Sequence, residues 1–313
     1  MIPLTLLDVH LSAPYPLDFG ANPGSSIRGA LYEALRRLTC PPLPVRRTGV
    51  AVRSRERADE NPVAWLLRLE DNATSGGKDV PRPIAIRPPL PPIDRETAFG
   101  VSLYGRGQEQ LPMVLSALSA MQRIGLGRGR GRFTLERVEH VDPLTYQAAP
   151  LLDGRGQRLG PLPAPPGAEA YAKLADRLRP DRVTVDFLTP TRIVERGKLV
   201  YTPRFAPWFQ RLLERIRLIS EVYTPEPVWV PFKDLLAAAE QITLVEDRTR
   251  WVEMWSGSRR DGAMRPTSGF TGRATYTGNL APLLPWLLLG QALQVGKNAV
   301  KGCGWYRLRY EWR

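Results

Sequence analysis

The feature that most constrains the fold is an order of segments that closes each half of the chain. Residues 111–124 (LPMVLSALSAMQRI) set Leu111, Val114, Leu118 and Met121 on one helical stripe. They run straight into a glycine-rich basic stretch, 125–132 (GLGRGRGR), and then into the strand-like 132–141. Residues 280–293 (LAPLLPWLLLGQAL) are again an apolar helix, with prolines confined to the early turns where they are tolerated. They lead into 294–304 (QVGKNAVKGCG) and a strand, 305–312. Helix, glycine-rich basic loop and last strand therefore recur after about half the chain, as a duplicated fold requires.

The openings of the halves correspond too. Residues 4–12 alternate as a strand, and 25–38 (SSIRGALYEALRRL) form a helix. Ser25 or Ser26 is its expected cap, and Ile27, Leu31, Leu35 and Leu38 its buried stripe. In the second half 181–194 is the strand and 205–223 the helix, with Phe209, Leu212, Ile216 and Ile219 on its apolar side. Each half reads as a ferredoxin-like (RRM-like) βαββαβ unit, so the fold class is α+β with two such domains in tandem. The expected division is 1–145, a Pro/Gly-rich linker at 146–179 without sustained periodicity, and 180–313.

Charge narrows the function classes. Among 313 residues, 44 Lys+Arg stand against 31 Asp+Glu, a formal +13, which points to a polyanionic partner. Two cysteines, Cys40 and Cys303, with His10 and His140 supply neither a disulfide framework nor a zinc site, and fit reduced thiols in the cytoplasm. The N-terminus has no basic region before its apolar run, and the longest apolar run, 280–290, is too short to span a bilayer.

The loops are the candidate binding elements. Gly296, Gly302 and Gly304 surround Lys297 and Lys301, so backbone N–H groups and two ammonium groups can approach phosphate. The bland alternative is a tight helix-to-strand turn. Its basic repetition in the first half, with Arg128, Arg130 and Arg132 alternating with glycine, favours phosphate contact. The hairpin-like 256–269 adds Arg259, Arg260 and Arg265, whereas the basic run 46–57 reads as a solvated face. No Walker or Rossmann pattern is present, so no nucleotide cofactor is expected.

Residues 19–40 (FGANPGSSIRGALYEALRRLTC), 186–194 (DFLTPTRIV), 203–220, 268–280 and 295–308 (VGKNAVKGCGWYRL) occur in an order that resembles the CRISPR pre-crRNA processing endoribonucleases of the RAMP superfamily. The resemblance covers both ends and most of the second half, and is weak over 45–105. It implies tandem ferredoxin-like domains, recognition of CRISPR repeat RNA, and metal-independent cleavage to a 2′,3′-cyclic phosphate and a 5′-hydroxyl. Association with other CRISPR effector subunits and a homodimer are both compatible with it.

Such a reaction needs a base for the ribose 2′-OH, an acid for the leaving 5′-oxygen and cations for the transition state, but no metal. Many relatives carry a catalytic histidine on the first helix; this helix has none. It offers Arg28, Tyr32 and Arg36 at i, i+4 and i+8 on one face. Arg28 and Tyr32 are the catalytic candidates there, with Arg36 a phosphate ligand; the alternative for Tyr32 is a half-buried flank residue. His10, on the strand face of Leu4, Leu6 and Asp8, is the candidate acid–base group, ahead of His140. The missing helix histidine keeps a second reading open, a non-catalytic RAMP subunit that packages guide RNA. A third is a general RNA-binding protein outside CRISPR systems.

Overall fold

The computed structural model describes residues 2–39, 62–67, 80–257 and 264–313. Its first half holds β1 (Leu4–Ser12), α1 (Pro23–Thr39), α2 (Pro62–Leu67), β2 (Ile84–Arg87), β3 (Glu96–Tyr104), α3 (Leu111–Ala120), β4 (Thr134–Val141) and β5 (Ala148–Asp153). Then follow α4 (Ala168–Arg177), β6 (Arg182–Thr191), β7 (Ile193–Glu195), β8 (Lys198–Val200), α5 (Phe205–Tyr223), α6 (Phe232–Glu240) and β9 (Thr243–Val252). The chain closes with β10 (Trp255–Gly257), β11 (Met264–Pro266), β12 (Gly269–Thr277), α7 (Leu284–Leu293) and β13 (Tyr306–Arg309).

The two main sheets have the same topology. The first runs β2-β3-β1-β4-β5 and the second β13-β6-β12-β9, with the named strand pairs antiparallel. Strands one and three of each half are central, which is the ferredoxin-like order. The first sheet differs by one strand: β5 pairs with the outer edge of β4, Val138 opposite Leu152. That strand and α4, whose Tyr171 and Ala175 are buried, lie in the stretch expected to be irregular linker. A six-residue strand containing Pro150 gives little periodic signal, and pairing across a short turn supplies what propensity lacks.

Alternation along β1 distributes its side chains between two cores. Leu7, Val9 and Leu11 pack with Ile27, Leu31 and Leu35 of α1 and with Val114 and Leu118 of α3. Leu4 and Leu6, on the opposite face, join Tyr104 and Val141 in a cluster that also contains Trp208, Leu212 and Ile216 of α5 and Leu287 and Leu288 of α7. The halves thus share buried apolar surface. α7 is apolar all round because it is covered on all sides, by α4, α5, β3 and β13. Among the described residues no helix is long and apolar enough to cross a membrane.

α1 starts earlier than expected and by a different cap. The Asn22 side-chain oxygen accepts the Ser25 N–H at 3.1 Å, and Pro23 occupies the first helical turn, so Asn22 caps the helix rather than Ser25 or Ser26. Leu38, expected in the buried stripe, is 48% exposed at the last turn. Two glycines of α1 have opposite surroundings. A β-carbon on Gly24 would lie 2.2 Å from the Lys301 carbonyl oxygen, whereas one on Gly29 would meet nothing within 4 Å. Gly29→Ala is expected to stabilise the protein by about 0.5–1 kcal/mol. Gly24→Ala is expected to cost about 1–3 kcal/mol by forcing the helix off the loop beneath it. Urea midpoints of the two variants, compared at unchanged slope, check the pair.

A candidate nucleic-acid interface where the halves meet

The end of α7 is held from two directions. Arg215 of α5, buried, donates through Nε to the Leu293 carbonyl at 2.7 Å. The Tyr104 hydroxyl, from the first half, donates to the Ala292 carbonyl at 3.2 Å. Gln294, at φ 61°, turns the chain out of the helix, and its Nε2 donates to the Ile86 carbonyl of β2 at 2.8 Å. The first two contacts satisfy carbonyls that a helix end leaves without partners, and the third ties the turn to β2. They also set where the next segment starts.

That segment is the glycine-rich loop. Gly296, Gly302 and Gly304 all have positive φ (79°, 89° and 75°), and Val295 N–H to Gly304 carbonyl (2.9 Å) closes the loop on itself. A short 3₁₀ turn, Ala299–Lys301, protrudes from it and rests on the first turn of α1 at Gly24. Lys297 is exposed, while Lys301 is half-buried at the contact.

Around Lys301 the structure gathers polar groups from three distant segments. Its Nζ donates to Ser256 Oγ at 3.2 Å, and the Ser256 and Ser25 hydroxyls are 3.0 Å apart. Asn22 Nδ2 donates to Thr267 Oγ1 at 3.4 Å. Burial, then the neighbouring charge of Arg28, push the Lys301 ammonium below the usual lysine range; Cys303 opposes this and Arg265 adds a lesser push in the same direction as Arg28. Arg28 reaches the Leu67 carbonyl of α2 at 2.5 Å. Cys303 is buried, its thiol pushed up to about 12 by burial, and is therefore a packing residue. The β10–β11 hairpin pairs Ser256 with Arg265 and Gly257 with Met264. Alternation turns Ser256 and Arg265 to one face, toward the cluster, and Trp255 and Met264 to the other, where both are exposed.

The first-half loop meets the same approach to α1. Leu126 and Gly131 exchange backbone hydrogen bonds, 3.0 and 2.7 Å, and Arg128 N–H donates to the Asp18 carbonyl at 2.7 Å. The Arg128 guanidinium lies over Gly20, where a β-carbon would come within 2.5 Å of its Nε. Gly20 and Gly24, one under each loop, are four residues apart, at most about 14 Å of chain. Beyond Arg128, a cavity of about 550 Å³ is lined by Arg123, Arg130 and Arg132 with Pro14, Phe133 and Thr134. Arg128, Arg130 and Arg132 are exposed.

The structure does not bring the three catalytic candidates together. Arg28 and Tyr32 lie on α1, Tyr32 half-buried against the first core. His10 lies on the other face of β1, with Asp8, so the sheet separates it from both. There His10 Nε2 meets Glu139 Oε2 at 2.7 Å, and Arg137 bonds the other carboxylate oxygen at 2.8 Å. Burial alone would raise the Glu139 pKa, but Arg137 and His10 together hold it below the ordinary value. His140 is buried, and burial lowers its pKa. Arg36 bonds Glu33, as does Arg37, and this holds Glu33 at about 2. Arg36 thus points its charge at its own helix. Arg259, Arg260, Cys40 and the run 46–57 lie outside the described residues. Sequence reasoning missed Ser25 and Ser256 as polar partners, and Arg123 as a cavity residue; the only available signal was the basic hairpin that carries Ser256. Among the described residues, no group of three or more His, Cys, Asp or Glu is placed to hold a metal ion.

With this geometry in hand, the comparisons with known proteins agree with one another. Residues 2–163 match a family model described as the AF_1859_N N-terminal domain, and residues 185–306 match that of the CRISPR-associated endoribonuclease Cas6. No curated protein sequence matches the chain significantly. Among solved structures, Thermus thermophilus Cas6 (TTHB231) is similar over 99% of each chain at TM-score 0.57 and 16% identity. A Cas6 (TTHB231) product complex is similar at TM-score 0.60 and 16% identity, over 98% of this chain and 99% of that one. A partial Cas6-RT-Cas1--Cas2 complex contains a similar fold at TM-score 0.60 and 13% identity, over 99% of this chain and 46% of that one. The chain belongs to the family described by the AF_1859_N N-terminal domain, which covers just over half of it, and its second half carries the CRISPR-associated endoribonuclease Cas6 domain on a fold shared with solved Cas6 structures.

Proposed function

We propose that the protein cuts CRISPR repeat RNA, once per repeat, by a metal-independent attack of a ribose 2′-OH on the adjacent phosphate. The products are a 2′,3′-cyclic phosphate and a 5′-hydroxyl, and the outcome is mature guide RNA. One observation carries the reading: the two basic glycine-rich loops, from opposite halves, meet the same short approach to α1. A strand rising about 3.4 Å per nucleotide would cross that span in roughly four nucleotides. Arg28, Arg265 and Lys301 would face the scissile phosphate, and Arg128, Arg130, Arg132 and Arg123 the flanking backbone. Lys297 lies exposed on the second loop, where it adds a further charge toward the strand.

The chemistry follows from what such groups do. The 2′-OH is already tethered beside phosphorus, so its effective concentration needs no metal to raise it. Negative charge accumulates on the phosphorane-like transition state. Cations preorganised in a partly buried site stabilise it more strongly than water does. Burial and then the neighbouring Arg28 charge disfavour the Lys301 ammonium, and a phosphate set beside this cluster of cations would relieve that cost. Tyr32, one turn along from Arg28, would contact a sugar or phosphate at the margin of this cluster. A second reading, a guide-RNA packaging subunit without activity, draws on the absence of imidazole at the junction: His10 is separated from it by the first sheet.

Three outcomes are expected. Repeat RNA from the protein's own locus, incubated in excess EDTA, should be cut to fragments ending in a cyclic phosphate; intact RNA despite tight binding would favour the packaging reading. His10→Ala should fall well short of the ~10²-fold rate loss that removing an acid–base group causes. A loss of that size in single-turnover assays would move the site to the other face of the sheet. Arg130→Ala and Arg132→Ala should each weaken RNA binding and each reduce the slope of log affinity against log salt by about 0.7 for single-stranded RNA. Titrations at several salt concentrations check this.

A further inference from the structure

We infer that Lys301 is the proton donor to the leaving 5′-oxygen, held in place by Ser256 as a positioning residue. This rests on the endoribonuclease reading and adds to it the identity of the acid that the histidine-free helix leaves open. The ordinary candidates are excluded one by one among the described residues at the junction. Arg28 and Arg265 carry guanidinium groups that do not give up a proton in proteins. The Cys303 thiol is buried and turned toward the Thr267 carbonyl. His10 is engaged with Glu139 across the sheet, and His140 is buried in the first half. Tyr32 stands a helical turn beyond Arg28 and packs against the first core, which leaves Lys301 as the group with a transferable proton at the contact between the loop and the first turn of α1.

Its position is set by backbone as well as by side chain. Lys301 N–H donates to the Asn298 carbonyl at 2.8 Å, its own carbonyl abuts Gly24, and Gly302 in the left-handed region turns the chain directly after it. The ammonium has three N–H bonds, of which one goes to Ser256 Oγ at 3.2 Å. Ser256 is buried, with the Ser25 hydroxyl 3.0 Å away on its other side. A lysine side chain otherwise samples many rotamers, so one hydroxyl at its end, itself held by a second, converts a flexible charge into a directed donor.

The step balances as follows. The 2′-oxygen bonds to phosphorus while its proton passes to a solvent water, and the bond between phosphorus and the 5′-oxygen breaks. One ammonium proton of Lys301 moves to the departing oxygen, and the resulting amine is reprotonated from solvent. The groups facing Lys301 are Arg28 from α1, Arg265 from β11, Ser256 from β10 and Cys303 within the loop. β2, which also packs on this turn, contributes Arg87, whose guanidinium is directed to Asp8 and the Leu7 carbonyl. Burial and the two facing arginines lower the Lys301 pKa, so the ammonium is a stronger acid than free lysine. The acid form persists below that pKa, and the rate should fall as pH rises through it.

The test uses the full-length protein and two versions of the repeat RNA, one natural and one with sulfur replacing the bridging 5′-oxygen at the cut site. A thiolate leaves without protonation, so it bypasses a missing acid. Lys301→Gln is expected to slow single-turnover cutting of the natural RNA by about 10²–10⁴-fold, and to cut the sulfur-bridged RNA near the wild-type rate. Lys301→Arg, which keeps the charge, should show the same pattern and serves if the glutamine variant does not fold. Ser256→Ala, which removes an acceptor of the ammonium, should move the high-pH break of the rate profile to lower pH. Natural RNA cut at near wild-type rate by either Lys301 variant overturns the assignment. So does an equal defect on both RNAs, which would make Lys301 a purely electrostatic or structural group. Wild-type protein that cuts neither RNA refutes the endoribonuclease reading itself.

Discussion

Everything at the junction depends on how α7 ends. Helix termini leave carbonyls without partners, and here they are buried. Arg215 meets the Leu293 carbonyl from within the second half, Tyr104 meets the Ala292 carbonyl from the first, and Gln294 reaches back to Ile86. Burying a guanidinium costs several kcal/mol unless hydrogen bonds and favourable contacts compensate. A carbonyl at the negative end of the helix and the face of the Tyr104 ring, 5.8 Å from the guanidinium carbon, supply that compensation. Burial pushes the Tyr104 hydroxyl up and keeps it a neutral donor. Because partners come from both halves, the loop that follows cannot shift relative to α1 without leaving a buried carbonyl unsatisfied, at about 1–3 kcal/mol each.

That constraint explains why a half-buried lysine can sit among arginines. The stability of the junction is supplied elsewhere, by the shared apolar cluster of Leu4, Leu6 and Tyr104 with α5 and α7. The site itself is therefore free to hold charges that oppose one another. Like charges held this close cost stability on their own, and an anion bound among them would offset that cost, an exchange often found at functional positions.

The sequence showed the architecture more clearly than the site. Strand alternation in 4–12 and the stripes of 111–124 and 205–223 were legible because one face of each element is buried, and Val114, Leu118, Leu212 and Ile216 are buried as the periodicity implies. β5 and α4 were not legible, being short, proline-flanked and dependent on packing against β4 and α7. The cap of α1 was missed because serines follow Asn22 closely and either type caps well. The separation of the catalytic candidates was hidden for a different reason. Periodicity says which face of β1 holds His10, but only the position of the helices says that Arg28 and Tyr32 lie on the other. Ser25 and Ser256 are 231 residues apart and belong to segments with no common pattern, so their meeting is a product of tertiary structure alone.

The duplication accounts for both loops, and a break in it accounts for the site. In each half a glycine of the loop lies against a carbonyl just past that half's first strand: Gly127 against Asp18 and Gly296 against Arg192, each too close for a β-carbon. This is the inherited local device, and it would place one basic loop beside its own half. The second loop departs from the first by carrying the turn Ala299–Lys301, which reaches across to Gly24. The departure needs a glycine on the receiving helix and left-handed backbone at Gly302, two positions where other residues are sterically excluded or strained. A symmetric pair of basic glycine-rich tips thereby becomes an asymmetric junction, in which one half contributes the helix and the other brings an amine to its first turn.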